Sequence, residues 1–399
     1  MERWKKNLYV VGFAQVLGFG TITFIMSFLP LYIKTLGVTD PKAVALWSGI
    51  LMGTAALFAS ISGPIWGNVG DRKGRKIMVE RVLFSNAIVS GLMGFSTSVW
   101  QLLVLRAVQG MLGGFMATSI ALVTSIAPAT EVGFALGFYQ TAMTVGNAMG
   151  PLLGGFLTDT FSYTSAFLVM AALAFIAALL VRYLVYENFI PPKSKTSQQG
   201  FFSSLKQLLS DRSLLAMLLV NFLVQYSLMV ISPIVPLFVH SLAPEVGYIT
   251  TLTGLIIASG GLASAVSAIY SGRLSDRMGH KQVLIFMTLG AALSVGLQTA
   301  VTSPWQFLAL RIVSGAFMGG MLPAANALIY SLIPGDQKGT AFGVSTSFSL
   351  LGNVLGPISG GFLAASPLGY RGVFVVTALL LLFTVLWIRK SLVTRVDMT

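Results

Sequence analysis

The sequence contains no cysteine. That absence removes disulfide frameworks, thiolate metal sites and cysteine nucleophiles together. Histidine occurs only twice in 399 residues, which leaves little for metal binding or acid–base chemistry. Acidic residues number 12 and charged residues make up 9% of the chain, against about 25% in a soluble globular domain. With 55% apolar residues and a mean hydropathy of +0.84, the chain reads as an integral membrane protein. No GxxxxGK[ST] phosphate loop occurs, so neither an ATP site nor any other cofactor is expected. No N-x-S/T sequon occurs either, which favours a bacterial cytoplasmic membrane. The charge that is present is mainly basic, with a net value of +13. It lies in short tracts between apolar runs, so lipid head groups are its expected partner and nucleic acid is not.

One bilayer crossing takes about 20 apolar residues. By that measure twelve spans are expected, at 9–33, 45–66, 77–97, 100–126, 134–158, 165–186, 214–239, 248–271, 283–301, 305–333, 339–363 and 372–388. The fold class is all-α, with two six-helix bundles at 1–186 and 214–399 and a polar linker at 187–213. The basic start MERWKK resembles a signal peptide, but the apolar run after it is too long, and the first span is read as uncleaved. Within the linker, FFSSLKQLL puts Phe201, Phe202, Leu205, Leu208 and Leu209 on one helical face. A short helix on the inner leaflet and a plain linker are both open there. When alternate loops are assigned to alternate sides, all but five of the 25 Lys and Arg residues fall on the side of the termini. The five are Lys34, Lys42 and Arg371 on the other side, with Arg106 and Arg311 inside spans. Both termini are therefore expected in the cytoplasm.

The two halves repeat each other. Asp71, Trp100, Arg106 and Glu131 correspond to Asp276, Trp305, Arg311 and Asp336 at an offset of 205, and Pro30, Asn147, Gly150 and Pro151 to Pro236, Asn353, Gly356 and Pro357 at 206. Six crossings per half make the repeats parallel, related by an axis along the membrane normal. Small-residue stripes, Gly49/Gly53/Ala56/Ser60/Gly63 and Gly254/Ala258/Gly261/Ala265/Ala268, mark close helix approaches in spans 2 and 8.

Three stretches carry the functional signal. GNVGDRKGRK at 67–76, with a second copy GRLSDRMGHK at 272–281, concentrates glycine, basic charge and Asp71 in one short turn at the membrane surface. GNAMGPLLGG at 146–155, echoed by GNVLGPISGG at 352–361, spaces Gly146, Gly150 and Gly154 along one smooth face, and Pro151 invites a bend. Packed on the small stripe of span 8, that face would act as a gate; static close packing is the alternative. RAVQG at 106–110 places Arg106 about 9 Å below Trp100 at 1.5 Å per residue. An intramembrane arginine is a functional hypothesis, with a snorkelling or bracing arginine as the alternative.

These stretches resemble the major facilitator superfamily over nearly the whole chain, and within it the twelve-helix drug:proton antiporters that include bacterial multidrug exporters. The resemblance implies that Asp71 sits against the start of span 11 near 339–341, a seat worth about 0.3–1 kcal/mol to a carboxylate. It implies further that Arg72 pairs with Glu131, that protonation of Asp71 loosens a latch, and that the glycine motif marks an exporter. A positive-inside turn without switching is the alternative for Asp71. Many members carry a midplane acid; here the nearest is Glu80 beside Arg81, a proton acceptor or simply an ion-pair partner, so strong selectivity for cations is not supported. Cavity-lining candidates are Gln15, Phe19, Phe24, Tyr139, Met143, Gln225, Tyr226, Met229, Arg311 and Asn326, which suit an adaptable apolar site if they do not simply pack helices. The expected function is a monomeric secondary active exporter of small amphipathic substrates, driven by protons. The alternatives are a facilitator or exporter of one endogenous sugar, metabolite or lipid, and a non-transporting receptor or scaffold. No enzymatic constellation is assembled by two histidines and loop carboxylates.

Overall fold

The computed structural model describes residues 2–189, 212–332 and 338–391. Every regular element among them is helical. In order, the α-helices are α1 (Arg3–Thr23), α2 (Leu29–Thr35), α3 (Pro41–Lys73), α4 (Arg75–Met93), α5 (Val99–Met111), α6 (Phe115–Ile126), α7 (Val132–Thr160) and α8 (Tyr163–Leu184). They continue with α9 (Arg212–Val230), α10 (Val235–Leu242), α11 (Ile249–Met278), α12 (His280–Leu297), α13 (Pro304–Leu332), α14 (Lys338–Ala365) and α15 (Gly369–Ser391). Together they form the twelve spans, with α1/α2, α5/α6 and α9/α10 each making one broken span. The linker segment 201–209 lies outside the described residues.

Among the described residues, nine spans are long and apolar enough to cross a bilayer, and the bent pair α9/α10 makes a tenth. The two that fall short are informative. Helix α4 opens with Arg75, Lys76, Glu80 and Arg81, and α7 carries Gln140, Thr141, Thr144 and Asn147 among its glycines. Large apolar side chains stand exposed along the spans, among them Phe13, Ile61, Ile88, Val104, Leu293 and Leu386, a surface that suits lipid better than water.

Two local departures from the expected spans trace to glycine. The stretch 67–76 is not a loop: α3 continues through Asp71 to Lys73, α4 starts at Arg75, and Gly74 alone lies between them. Gly74 has φ 104°, a conformation in which a Cβ is strained, so one glycine turns the chain. Gly279, at φ 91°, does the same between α11 and α12. The expected single helix at 100–126 is broken at 112–114, where Gly114 is left-handed with φ 96°.

The chain divides into two compact units, Met1–Ser194 with Val235–Ala258, and Lys195–Ile234 with Ser259–Thr399. In the first unit, Leu8, Val11, Val79, Val82, Leu83, Leu122 and Val181 share one buried core. Helix α1 meets α7 backbone to backbone, because a Cβ at Gly146, Gly150 or Gly154 would overlap the carbonyl oxygens of Val16, Gly20 and Phe24 respectively. In the second unit, Gly352, Gly356 and Gly360 of α14 meet α9 in the corresponding way, and Gly315 and Gly319 of α13 meet Gly260 and Ser264 of α11. The face formed by Gly146, Gly150 and Gly154 therefore rests on α1, and the expectation that it rests on span 8 is corrected. Span 8 is met instead by Pro151 and Gly155, the former opposite Gly254 and the latter opposite Thr250.

Candidate functional site

Arg106 of α5 is 7% exposed, and no carboxylate lies within 4 Å of it among the described residues. Its Nε donates to Leu51 O at 3.4 Å and its Nη1 to Gln109 Oε1 at 2.7 Å. Gln109 Nε2 donates to Asn86 Oδ1 at 2.7 Å, and Asn86 Nδ2 donates to Thr21 Oγ1 at 2.8 Å. A polar chain thus runs from α5 through α4 to α1, spreading the arginine's charge over neutral acceptors. The repeat mate Arg311, on α13, is half-buried and its Nε lacks a partner.

Just beyond Arg106, the break between α5 and α6 frees carbonyls that lipid cannot satisfy. Three are taken up by side chains. Trp66 Nε1 donates to Met111 O at 2.7 Å, and Arg81 donates from Nη1 to Leu112 O and from Nη2 to Gly113 O, both at 2.9 Å. The Arg81 guanidinium lies 3.5 Å over the Trp66 ring, so the two side chains form a stacked clamp. Glu80 therefore pairs with Lys76 at 3.6 Å and Arg182 at 4.0 Å, and leaves Arg81 to the clamp.

At the Gly74 joint, Asp71 and Arg72 are exposed and Glu131 stands exposed at the N-cap of α7. No ion pair joins Arg72 to Glu131. The acid that caps α4 is Glu187, which accepts from Arg75 N at 3.1 Å and Lys76 N at 2.8 Å. A carboxylate there satisfies donors that have no intrahelical acceptor. At the chain start, the Lys5 ammonium 3.0 Å away holds the Glu2 carboxyl below its ordinary range.

The cavity candidates divide by unit. In the first, Gln15 and Tyr139 are each 1% exposed, and Gln15 Nε2 donates to the Tyr139 hydroxyl at 2.9 Å. Gln15 Oε1 is buried with no partner. Phe19 packs on Phe115 with ring centroids 5.7 Å apart, and Met143 is half-buried. Phe24 instead joins a core of Phe28, Tyr32, Tyr163 and Phe167, with ring centroids 5.2 to 5.7 Å apart. In the second unit, Gln225 Nε2 donates to Asn353 Oδ1 and the Tyr226 hydroxyl to Ser359 Oγ, both at 2.6 Å. Met229 packs on Gly356, and the exposed Asn326 accepts from Asn221 Nδ2 at 3.4 Å. Asn221 also donates to Ser345. Since Asn221 and Ser345 stand 206 residues after Gln15 and Tyr139, each repeat ties its first span to its fifth by a carboxamide and a hydroxyl.

The profile of the Major Facilitator Superfamily matches the chain twice, at residues 11–251 and 217–396. The chain belongs to the Major Facilitator Superfamily. Among relatives within it, multidrug resistance protein MdtG of Proteus mirabilis (strain HI4320) is 38% identical over 387 residues, covering 96% of this chain and 95% of that protein. Multidrug resistance protein MdtG of Salmonella typhimurium is 37% identical over 389 residues, covering 98% and 96%. Among solved structures, the nucleoside transporter NupG superposes with a TM-score of 0.84 at 13% identity, covering 98% of this chain and all of that one. A D-xylose-proton symporter gives 0.79 at 17% identity, covering 98% of each chain. At such identity these two superpositions speak for the superfamily fold alone.

Sequence reasoning missed the roles of Gln109, Asn86, Trp66, Arg81 and Glu187. The adjacent Gly113 and Gly114 were the available signal for the helix break; nothing local pointed to the partners, which are up to 112 positions apart.

Proposed function

We propose that this chain exports small amphipathic molecules across a bacterial cytoplasmic membrane in exchange for protons, with both termini in the cytoplasm. The observation that carries the reading is the 38% identity, along nearly the full length, with a protein named for multidrug resistance. One further feature supports it: the spans contain polar and aromatic groups in both units. In this reading the two halves rock about a central cavity. Phe19 and Met143 line it from one half, where the buried Gln15–Tyr139 pair ties α1 to α7, and Gln225, Tyr226, Met229, Arg311 and Asn326 from the other. Asp71 latches one state, with Arg72, Glu131 and Glu80 as the other charged groups of the coupling and Arg106 as the buried cation that responds to them. Gly146, Gly150 and Gly154 hold α7 on α1, while Pro151, which meets Gly254 of α11, belongs to the part that gates. The protein works as a monomer.

The test is uptake of a fluorescent amphipathic dye into inverted vesicles driven by a pH gradient, with and without a protonophore. Export predicts uptake that the protonophore abolishes. A flux unaffected by the gradient removes proton coupling. Protection of an expressing strain against one compound only, among a panel of unrelated toxic compounds, replaces multidrug export with a dedicated carrier.

A further inference from the structure

Asp159 is the next-to-last residue of α7, and both of its carboxylate oxygens are engaged by the first turn of α11. Oδ1 accepts from Thr250 N at 3.3 Å and Thr250 Oγ1 at 2.5 Å; Oδ2 accepts from Thr251 N and Thr251 Oγ1, both at 2.7 Å. Helix α11 begins at Ile249, so these N–H groups are among the first four, which have no acceptor within the helix. A carboxylate suits them because it meets the positive end of a 30-residue helix with charge-assisted hydrogen bonds. Thr158 Oγ1 adds a hydroxyl contact to Thr250 Oγ1 at 2.8 Å.

Two backbone contacts underlie this tie. Gly155 lies against Thr250 O and Gly254 against Pro151 O, and a Cβ at either glycine would overlap the opposing carbonyl. The repeat separates packing from clasping. The glycine motif of α7 recurs in α14, but the position 206 after Asp159 is Ala365, and those 205 before Thr250 and Thr251 are Ala45 and Leu46. The acid and its two threonines therefore have no counterparts at the positions that the repeat relates to them.

We propose that Asp159 is a releasable clasp between α7 and α11 at the end of the bundle opposite the termini, and that it must let go before substrate can leave there. In its second half α7 is held to α1 and to Phe24 just after it by three successive backbone contacts, at Gly146, Gly150 and Gly154. It is therefore α11 that parts from α7. The clasp consists of hydrogen bonds at the end of a span, where water replaces each partner as it separates. This inference rests on the export reading, and its test separates the two.

The absence of cysteine gives a clean background for thiol chemistry. Thr250 is 2% exposed. In the full chain held in nanodiscs, with both membrane faces open to a water-soluble maleimide, Thr250→Cys should label slowly. Adding Asp159→Asn should raise the labelling rate at least tenfold, and adding Thr251→Val, which keeps the acid, should raise it less. Equal rates in all three overturn the clasp, whatever the protein transports. The pair Thr158→Cys with Thr250→Cys, oxidised to a disulfide, should stop dye export, and dithiothreitol should restore it. Undiminished export with the crosslink formed also overturns the clasp. Absence of export from the wild-type chain removes the export reading, and the labelling rates still decide the clasp.

Discussion

Replacing Arg81 by glutamine tests whether a polar clamp holds the broken fourth span together. The guanidinium supplies two hydrogen bonds of 2.9 Å, to Leu112 O and Gly113 O, and stacks 3.5 Å over Trp66. Hydrogen bonds from a charged donor contribute about 1.5–3 kcal/mol each, and stacking on an aromatic ring contributes about 0.5–1 kcal/mol at a partly exposed site. Removing a half-buried charge returns part of this through relieved desolvation. The net cost expected of Arg81→Gln is about 2–4 kcal/mol. At about 2–4 °C per kcal/mol for a unit of this size, the midpoint of thermal unfolding should fall by about 5–15 °C in detergent. Arg81→Lys keeps the charge but not the fork, and should lie between the two. Trp66→Phe should cost about 1 kcal/mol for its single hydrogen bond to Met111 O. In the double variant the two effects should be non-additive by about 0.5–2 kcal/mol, because the side chains touch. The reasoning is refuted if Arg81→Gln unfolds within 1 °C of the wild type, or if Arg81→Lys matches the wild type. Either result means that water satisfies the freed carbonyls.

Gln109→Leu removes the acceptor of Arg106 Nη1 and the donor to Asn86 together. It should destabilise the protein by about 2–4 kcal/mol and sharply reduce dye export; wild-type stability would show that the polar chain is idle. Gly150→Ala forces a methyl into Gly20 O and Thr23 Oγ1, whereas Gly137→Ala meets nothing within 4 Å. The first should cost about 1–3 kcal/mol and lower the folded yield in membranes, while the second should leave both unchanged. Asp71→Asn should reduce export in energised vesicles without altering membrane insertion, and full retained transport by that variant ends the latch proposal.

The architecture was legible in the sequence because apolar runs of span length and a repeat at a constant offset of 205 or 206 record global constraints locally. Helix ends at glycine were not. GNVGDRKGRK looks like a loop by composition, yet helix continues to Lys73, since only Gly74 needs a conformation that other residues resist. Glycine spacing identified a smooth face on α7 but not the helix it rests on; Gly146, Gly150 and Gly154 fit α1, and their neighbour Gly155 fits Thr250. Side-chain partnership was the least legible. Arg81 is adjacent to Glu80, which invites a local pair, but the unsatisfied carbonyls at the broken span are the stronger attractor for a forked donor.

A connector one residue long has mechanical consequences. Helix α3 has 33 residues, which at 1.5 Å each makes a lever about 50 Å long. With Gly74 as the fulcrum there is no slack to absorb a tilt, so a 5° swing moves the distal tip by about 4 Å, roughly one and a half water diameters. Lengthening the fulcrum by one or two flexible residues would uncouple the levers without altering a single side chain along them.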